Sequence, residues 1–424
     1  MDKFVIEGGS KLSGNIKISG AKNAALPLLC ATLLSDKECV LENIPNLADI
    51  DTTFKILNFI GVQTEWDKKN QKASINGAKA NRLEAPYDLV RTMRASVLVL
   101  GPMLARFGEA KVSLPGGCAI GARPVNLHLT ALEQMGATIT IDGGYIHAKA
   151  KKLKGTTIRF PIISVGATEN TLMAAALADG ETIIENAALE PEIVDLANLL
   201  KAMGVPITGE GTNTIRVKGV GSIQKCNHKT IPDRIEAGTY LSAVAIAGGK
   251  IHLDHVKASL LPTVIDKYIE AGLTIVEENG GLTASFDPAK GALKACDIQT
   301  KEFPGFATDM QAQFMAAMCF TKGSSTISEN IFENRFMHVP ELIRLGADIA
   351  IQGNTAVVKG KGPLSLSGAT VMATDLRASA SLVLAGLGAK GETQVRRIYH
   401  LDRGYENMEK KLSSLGAKVS RTEE

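Results

Sequence analysis

The chain has few of the features that mark metal, membrane or nucleic-acid proteins. Its six cysteines, Cys30, Cys39, Cys118, Cys226, Cys296 and Cys319, include no CxxC pair and have no histidines at zinc-ligand spacing. That excludes a recognisable zinc motif and a disulfide framework, and points to reduced thiols in the cytoplasm. Aromatic residues make up only 4% and the formal net charge is +3, so no broad basic stripe with interleaved aromatics exists to hold nucleic acid. The short basic run at 149–154 reads as a solvated strand edge or turn. The N-terminal MDKFVIEGG lacks a signal-peptide core, and apolar stretches such as residues 24–34 are too short for a hydrocarbon layer of about 30 Å. No metal, cofactor or membrane span is expected.

What is abundant is small residues in repeated phrases. At 424 residues the chain exceeds a single ordinary core. The phrases FIGVQT, QMGATI, AMGVPI, EAGLTI, RLGADI and SLGAKV recur about 70 residues apart, each reading as a helix that ends in glycine before a β-rich stretch. Their glycines are Gly61, Gly136, Gly204, Gly272, Gly346 and Gly416. Each unit also carries an Ala-rich apolar segment, such as TLMAAALA or SASLVLAGL, then a short strand such as ETIIENA or SSTISENI, then a second amphipathic helix. Segments with so much alanine and so few charges suit helices buried on most sides. Six βαβαββ-like units therefore predict an α/β fold of two three-unit domains, each enclosing helices inside sheets. The expected domains are 22–230, and 1–21 with 231–424. Residues 3 to 19 read as an orphan strand that the second domain could receive, making the connection a double crossing.

Two repeat-equivalent places hold nearly every unusual charge. The starts of the apolar helices carry Lys22, Arg94, Glu169, Glu236, Asp309 and Arg377, and the strand-to-helix loops carry Arg123, Arg335 and Arg403. A cation at a helix N-terminus opposes the helix dipole unless an anion offsets it, so several of them together predict a cationic cleft between the domains for a multiply charged substrate. Asp309 lies in Thr308-Asp309-Met310-Gln311, whose spacing fits a capping box and whose acid favours the dipole; a general base is the other reading. Cys118 sits in the glycine-rich PGGCAIGARP beside Arg123, a setting for a reactive thiol that can act as acid or nucleophile. A Cys–His dyad with His128 lacks an orienting Asn or Asp pattern.

Ordered along the whole length, GGSKLSGNIKISGAKNAALPLL, LPGGCAIGARPVNLHL, VGATEN, FATDMQAQFMAA, FENRFMHVPEL, ATDLRASASLVLAGLGAKGET and IYHLDRGYE closely resemble the enolpyruvyl transferase family, in its branch with a sugar-nucleotide acceptor. The resemblance implies two inside-out α/β barrels joined by a double crossing. It also implies transfer of enolpyruvyl from phosphoenolpyruvate to the 3-hydroxyl of UDP-N-acetylglucosamine, with release of phosphate and no metal, as the first committed step toward peptidoglycan precursors.

By the same resemblance Cys118 is the general acid and Asp309 faces the sugar hydroxyl. Lys22, Asn23, Arg123, Arg335, Arg377 and Arg403 hold phosphoenolpyruvate, with Lys22 and Arg403 also counted as catalytic. Asn23, Arg94, Arg123, Pro124, Val125, Asn126, Leu127, Ile163, Ser164, Val165, Gly166, Asp309 and Ile331 contact the sugar nucleotide. Asn126 and Ile162 depart from the Asp and Lys often found there, which bears on uridine recognition. The alternatives are a shikimate-pathway enolpyruvyl transferase, which lacks the cysteine loop, and a non-catalytic paralogue, against which intact Lys22, Cys118, Asp309 and Arg403 argue.

Overall fold

A computed structural model describes residues 2–91, 93–115 and 125–423. Cys118, Arg123 and Pro124 lie outside the described residues. The contacts divide the chain into two compact units, one taking residues 2–19 and 232–423 and the other 20–115 and 125–231.

All six repeat glycines end helices in the left-handed conformation, with φ between 92° and 112°. Glycine is required there because a Cβ would be strained. In every case the next residue donates its N–H five positions back, in the pairs Val62 to Leu57, Ala137 to Leu132, Val205 to Leu200, Leu273 to Tyr268, Ala347 to Leu342 and Ala417 to Leu412, at 2.9–3.1 Å. This Schellman closure satisfies an otherwise orphaned carbonyl and brings an apolar residue back onto the helix it ends.

Each closure delivers the chain into one of the six four-stranded sheets found among the described residues, which share one topology. In the sheet built on Glu38–Glu42, the strand Cys226–Lys229 runs parallel on one side, while Lys72–Asn76 and then Gln63–Asp67 follow antiparallel on the other. Alternation along Glu38–Glu42 turns Cys39 and Leu41 inward and leaves Glu38 and Glu42 in solvent. The stretch read as one orphan strand forms two. Asp2–Glu7 pairs with Glu392–Arg396 and Lys418–Glu423, and Leu12–Lys17 runs parallel to Gly249–Asp254. Gly8 and Gly9 fall between the two strands, and a side chain on Gly8 would meet the Ala389 carbonyl at 2.0 Å.

The small-residue helices fill the interior of each unit. Leu376–Gly388 packs against Arg234–Ala247 and Gln311–Met318, and every residue of it except Leu376 is buried. In the other unit Leu100–Phe107 packs on Val165–Ala175 so closely that a Cβ at Gly101 would lie 2.5 Å from the Asn170 carbonyl oxygen; the Gly101 N–H donates instead to Asn170 Oδ1 at 2.8 Å. Alanine, serine and glycine permit this approach and lose little side-chain entropy on burial. The architecture is the expected inside-out α/β arrangement of three repeats per unit, with helices inside and sheets outside. Among the described residues no helix is long and apolar enough to cross a membrane.

Candidate active site

A buried cluster of charge forms around Asp309. This residue lies on the short 3-10 turn Thr308–Met310 that opens onto helix Gln311–Met318. Arg335, from the loop after strand Lys322–Ser328, donates through Nη2 to Asp309 Oδ1 at 2.8 Å. Arg377, in the first turn of Leu376–Gly388, donates through Nε and Nη2 to Asp309 Oδ2 at 3.2 and 3.1 Å. Asp375 caps that helix by accepting the N–H groups of Arg377 and Ala378 at 2.8 and 3.0 Å, which fixes the base of the Arg377 side chain.

The two guanidinium side chains are only 6% and 3% exposed, whereas the Asp309 side chain is 26% exposed. The carboxylate edge therefore reaches solvent while its cations are held from behind. Burial opposes the charge of Arg377, but Tyr405, Asp309 and Asp233 outweigh it and raise its pKa. Tyr405 lies under that guanidinium at 5.3 Å, and its hydroxyl meets Thr239 Oγ1 at 2.9 Å and accepts from Gln313 Nε2 at 3.0 Å. A carboxylate on a side chain partly open to solvent can accept a proton or a hydrogen bond from a hydroxyl delivered to it.

Thr308 and Gln311 do not form the capping box that their spacing suggests. The Thr308 hydroxyl donates to Glu329 Oε2 at 2.9 Å, and both polar atoms of the buried Gln311 side chain lack hydrogen-bond partners among the described residues. Helix Gln311–Met318 begins only after a 3-10 turn, so Gln311 points into the interior rather than back to a cap. Ile331 follows closely, its N–H accepted by Glu329 Oε1 at 2.9 Å. Arg403 ends the 3-10 segment Ile398–Arg403 and is half-buried.

In the other unit Lys22 is the first residue of helix Lys22–Ala31. Its ammonium lies 3.2 Å from Asp49 Oδ2, with the two side chains 11% and 6% exposed. Asp49 supplies the anion that a lysine at a helix N-terminus calls for. Asn23 is half-buried beside it.

Arg94 opens the 3-10 segment Arg94–Val99 and stands near His128 of helix Asn126–Gln134. Burial and then the Arg94 charge push His128 down to about 4, and its Nδ1 has no hydrogen-bond partner among the described residues. His128 is thus a neutral packing residue and a poor base. Its ring fits against Gly166, where an added Cβ would come 3.0 Å from Nε2. The helix Asn126–Gln134, preceded by Val125 and including Leu127, in this way packs on the helix Val165–Ala175, which follows Ile163 and Ser164 and carries Gly166. Ser164 caps the latter segment's helix, accepting the Ala167 N–H at 3.3 Å, while Ile162 is 66% exposed. This moves the helix start four residues ahead of Glu169, which lies buried within Val165–Ala175 rather than at its beginning.

Sequence reasoning missed two carboxylates, Asp49 and Glu329. Glu329 occupies the acid position of SSTISENI, equivalent to Glu42 in KECVLENI and Glu185 in GETIIENA, and the repeat was the available signal. Only burial singles it out.

Two bodies of three sheet-and-helix repeats, with cations and a carboxylate at equivalent helix starts and loops, define a protein of the enolpyruvyl-transfer class. The family of EPSP synthase (3-phosphoshikimate 1-carboxyvinyltransferase) matches residues 6–412. The chain is 55% identical over all 424 residues to the UDP-N-acetylglucosamine 1-carboxyvinyltransferases of Geobacter metallireducens and Geotalea uraniireducens, covering 100% of both. Among solved structures it resembles the enolpyruvyl transferase NikO from Streptomyces tendae, with a TM-score of 0.88, 25% identity and 99% coverage of each chain. EPSP synthase from Acinetobacter baumannii shares the fold with a TM-score of 0.77 at 18% identity and 100% coverage of each chain. The chain belongs to the enolpyruvyl transferase family.

Proposed function

We propose that this enzyme transfers the enolpyruvyl group of phosphoenolpyruvate to the 3-hydroxyl of UDP-N-acetylglucosamine, releasing phosphate and supplying peptidoglycan precursor synthesis. The observation that carries the reading is the identity of 55% over the full chain with proteins named for that activity. The partly exposed carboxylate of Asp309, held by two guanidiniums, supplies the acceptor that a sugar hydroxyl needs.

The chemistry assigns a part to each group. A proton added to the methylene carbon gives the adjacent carbon oxocarbenium character; the sugar oxygen then bonds there as its own proton leaves. Loss of phosphate and of one proton from the new methyl group restores the double bond. Cys118 serves as proton donor, Asp309 receives the hydroxyl hydrogen, and Lys22, Asn23, Arg123, Arg335, Arg377 and Arg403 bind the phosphate and carboxylate of phosphoenolpyruvate. Such fixed cations act where charge develops and need no reorganisation during the step. Arg94, Pro124, Val125, Asn126, Leu127, Ile163 to Gly166 and Ile331 position the sugar nucleotide, and Asn23, Arg123 and Asp309 touch it too.

Phosphate release measured with phosphoenolpyruvate and either UDP-N-acetylglucosamine or shikimate 3-phosphate tests the reading. Turnover is expected with the first acceptor alone. Turnover only with shikimate 3-phosphate, or with neither, overturns it.

A further inference from the structure

The Glu329 carboxylate is 3% exposed and collects four hydrogen bonds from three separate stretches of chain. Oε1 accepts from Thr300 Oγ1 at 2.9 Å, from the Ile331 N–H at 2.9 Å and from the Phe332 N–H at 3.2 Å. Oε2 accepts from Thr308 Oγ1 at 2.9 Å. Thr300 in turn accepts the Asn330 N–H at 2.9 Å, and the Glu329 N–H donates to the Asn354 carbonyl at 2.8 Å.

The three stretches matter because of their neighbours. Thr308 precedes Asp309 on the same 3-10 turn. Ile331 and Phe332 begin the segment that reaches Arg335, whose guanidinium returns to Asp309 Oδ1. Glu329 and Arg335 thus close a loop of contacts, with the carboxylate of Glu329 at one end and that of Asp309 at the other. An ionised carboxylate only accepts, so four converging donors satisfy it without leaving a buried charge unpaired. Charge-assisted bonds of this kind are the stronger ones and fix geometry as well as energy.

We propose that Glu329 is a positioning residue that sets the spacing between Asp309 and the segment from Ile331 to Arg335, holding the acceptor hydroxyl and the sugar nucleotide in register with Asp309. It acts through Thr308 and the two backbone N–H groups and touches no substrate. This rests on the function proposed above, specifically on Asp309 facing the hydroxyl and Ile331 facing the sugar nucleotide.

Substitution separates the positioning role from a merely structural one. Glu329→Ala strands four donors, whereas Glu329→Gln keeps an oxygen for the two N–H groups and can donate to a rotated Thr308 hydroxyl. Thr308→Val removes the link to the Asp309 turn and leaves the other three donors to Glu329 in place, at the folding cost of a buried Oε2 that loses its donor. With the full-length enzyme, kcat/KM for UDP-N-acetylglucosamine is expected to fall at least about tenfold more than that for phosphoenolpyruvate in Glu329→Ala and Thr308→Val. Glu329→Gln is expected to recover most of the loss.

Equal losses for both substrates, or a lowered Tm with the acceptor parameters of Thr308→Val within about threefold of wild type, overturn the inference and leave the function standing. If Glu329→Ala does not fold, Thr308→Val and Glu329→Gln carry the same comparison. A wild-type enzyme that releases no phosphate with UDP-N-acetylglucosamine overturns the function and the inference with it.

Discussion

Arg377 donates twice to a single oxygen of Asp309, at 3.2 and 3.1 Å, from a side chain only 3% exposed. Arg335 holds the other oxygen, so the carboxylate is the common counter-charge of two buried cations. Removing it leaves both guanidiniums without that partner. Breaking one side of a buried ion pair costs about 3–5 kcal/mol, and the partial exposure of Asp309 places this case toward the lower end. Asp309→Ala is therefore expected to lose about 3 kcal/mol in denaturant unfolding along with nearly all turnover. The double variant Asp309→Ala/Arg377→Met should regain part of the stability but none of the activity. Additive losses of stability in the double variant would show that the pair is not coupled.

Thiol chemistry should discriminate sharply among the six cysteines. Cys30, Cys39, Cys226, Cys296 and Cys319 are all buried. Burial pushes the Cys319 thiol up to about 12 and that of Cys296 to about 11. A hydrogen bond with Cys39 lowers the Cys226 thiol instead, so there it is burial that bars a reagent. A thiol is nucleophilic only as its anion and only where a reagent reaches it, so these buried sites should resist a fosfomycin-type epoxide and leave Cys118 as the target. Peptide mass spectrometry after limited labelling of the native enzyme checks this, and a label on Cys30 or Cys319 contradicts it. Cys118→Ser should lose most turnover because a hydroxyl is a far weaker acid. Cys118→Asp, which is protonated in part at mildly acidic pH, should retain some there. Wild-type turnover in the Ser variant removes the proton-donor role.

Much of this architecture was legible because local chemistry repeats. The six closing glycines are backbone requirements that no other residue meets cheaply, and the alanine-rich phrases leave few alternatives to a buried helix. Even the residue after the strand keeps its conformation: Asn43, Asn186, His255 and Arg397, at matching positions in four repeats, all have φ between 56° and 67°. What could not be read is where a side chain finds its partner. Thr308 and Gln311 have the spacing of a cap, but Glu329, distant in sequence, offers Thr308 a buried carboxylate. Lys22 reads as an unopposed helix-end cation until the fold brings Asp49 to it. Likewise Glu169 has the polarity of a helix start, yet Ser164 supplies the cap first. Pairings across tens of residues depend on the packed fold, and a single sequence does not display them.

Acid should expose two buried histidines, one in each unit. Burial first, and then Arg94 beside His128, lower that imidazole to about 4; burial lowers His338 to about 4 as well, with Asp375 opposing and Arg335 assisting. In the unfolded chain both titrate near 6.5, so below that pH the unfolded state takes up protons that the folded state refuses. Their stabilising contribution is full above about pH 6.5 and is lost as pH falls toward 4, at most about 3 kcal/mol for each. The buried carboxylates of Glu169 and Glu236, whose pKa values burial raises, act in the opposite sense and favour the folded state at low pH. Comparing His128→Gln and His338→Gln with wild type isolates the imidazoles. Each variant should show a shallower fall in unfolding free energy between pH 6.5 and 4. Parallel pH profiles would mean that the histidines take up protons in the folded state as readily as in the unfolded one.

Lys22 and Arg94 belong to the same unit and open consecutive repeats, yet their surroundings differ. Lys22 has the nearly buried Asp49 beside its ammonium, whereas Arg94 stands over the His128 packing site next to the 163–166 segment. In the proposed reaction Lys22 meets the phosphate of phosphoenolpyruvate and Arg94 the sugar nucleotide. Lys22→Met should therefore lower kcat/KM for phosphoenolpyruvate by an amount equivalent to about 2–4 kcal/mol, the loss typical of one donor aimed at transition-state charge. It should also leave Asp49 as a buried carboxylate without that cation and lower Tm slightly, a loss that Lys22→Met/Asp49→Asn should partly restore. Arg94→Met should instead raise KM for UDP-N-acetylglucosamine with a smaller effect on the phosphoenolpyruvate side, since a cation that binds substrate and transition state alike changes KM more than kcat. Varying each substrate in turn at constant ionic strength separates the two. If both variants remain folded and use phosphoenolpyruvate and the sugar nucleotide as wild type does, the two cations are helix-end charges answered by their own neighbours, and the division of labour between them fails.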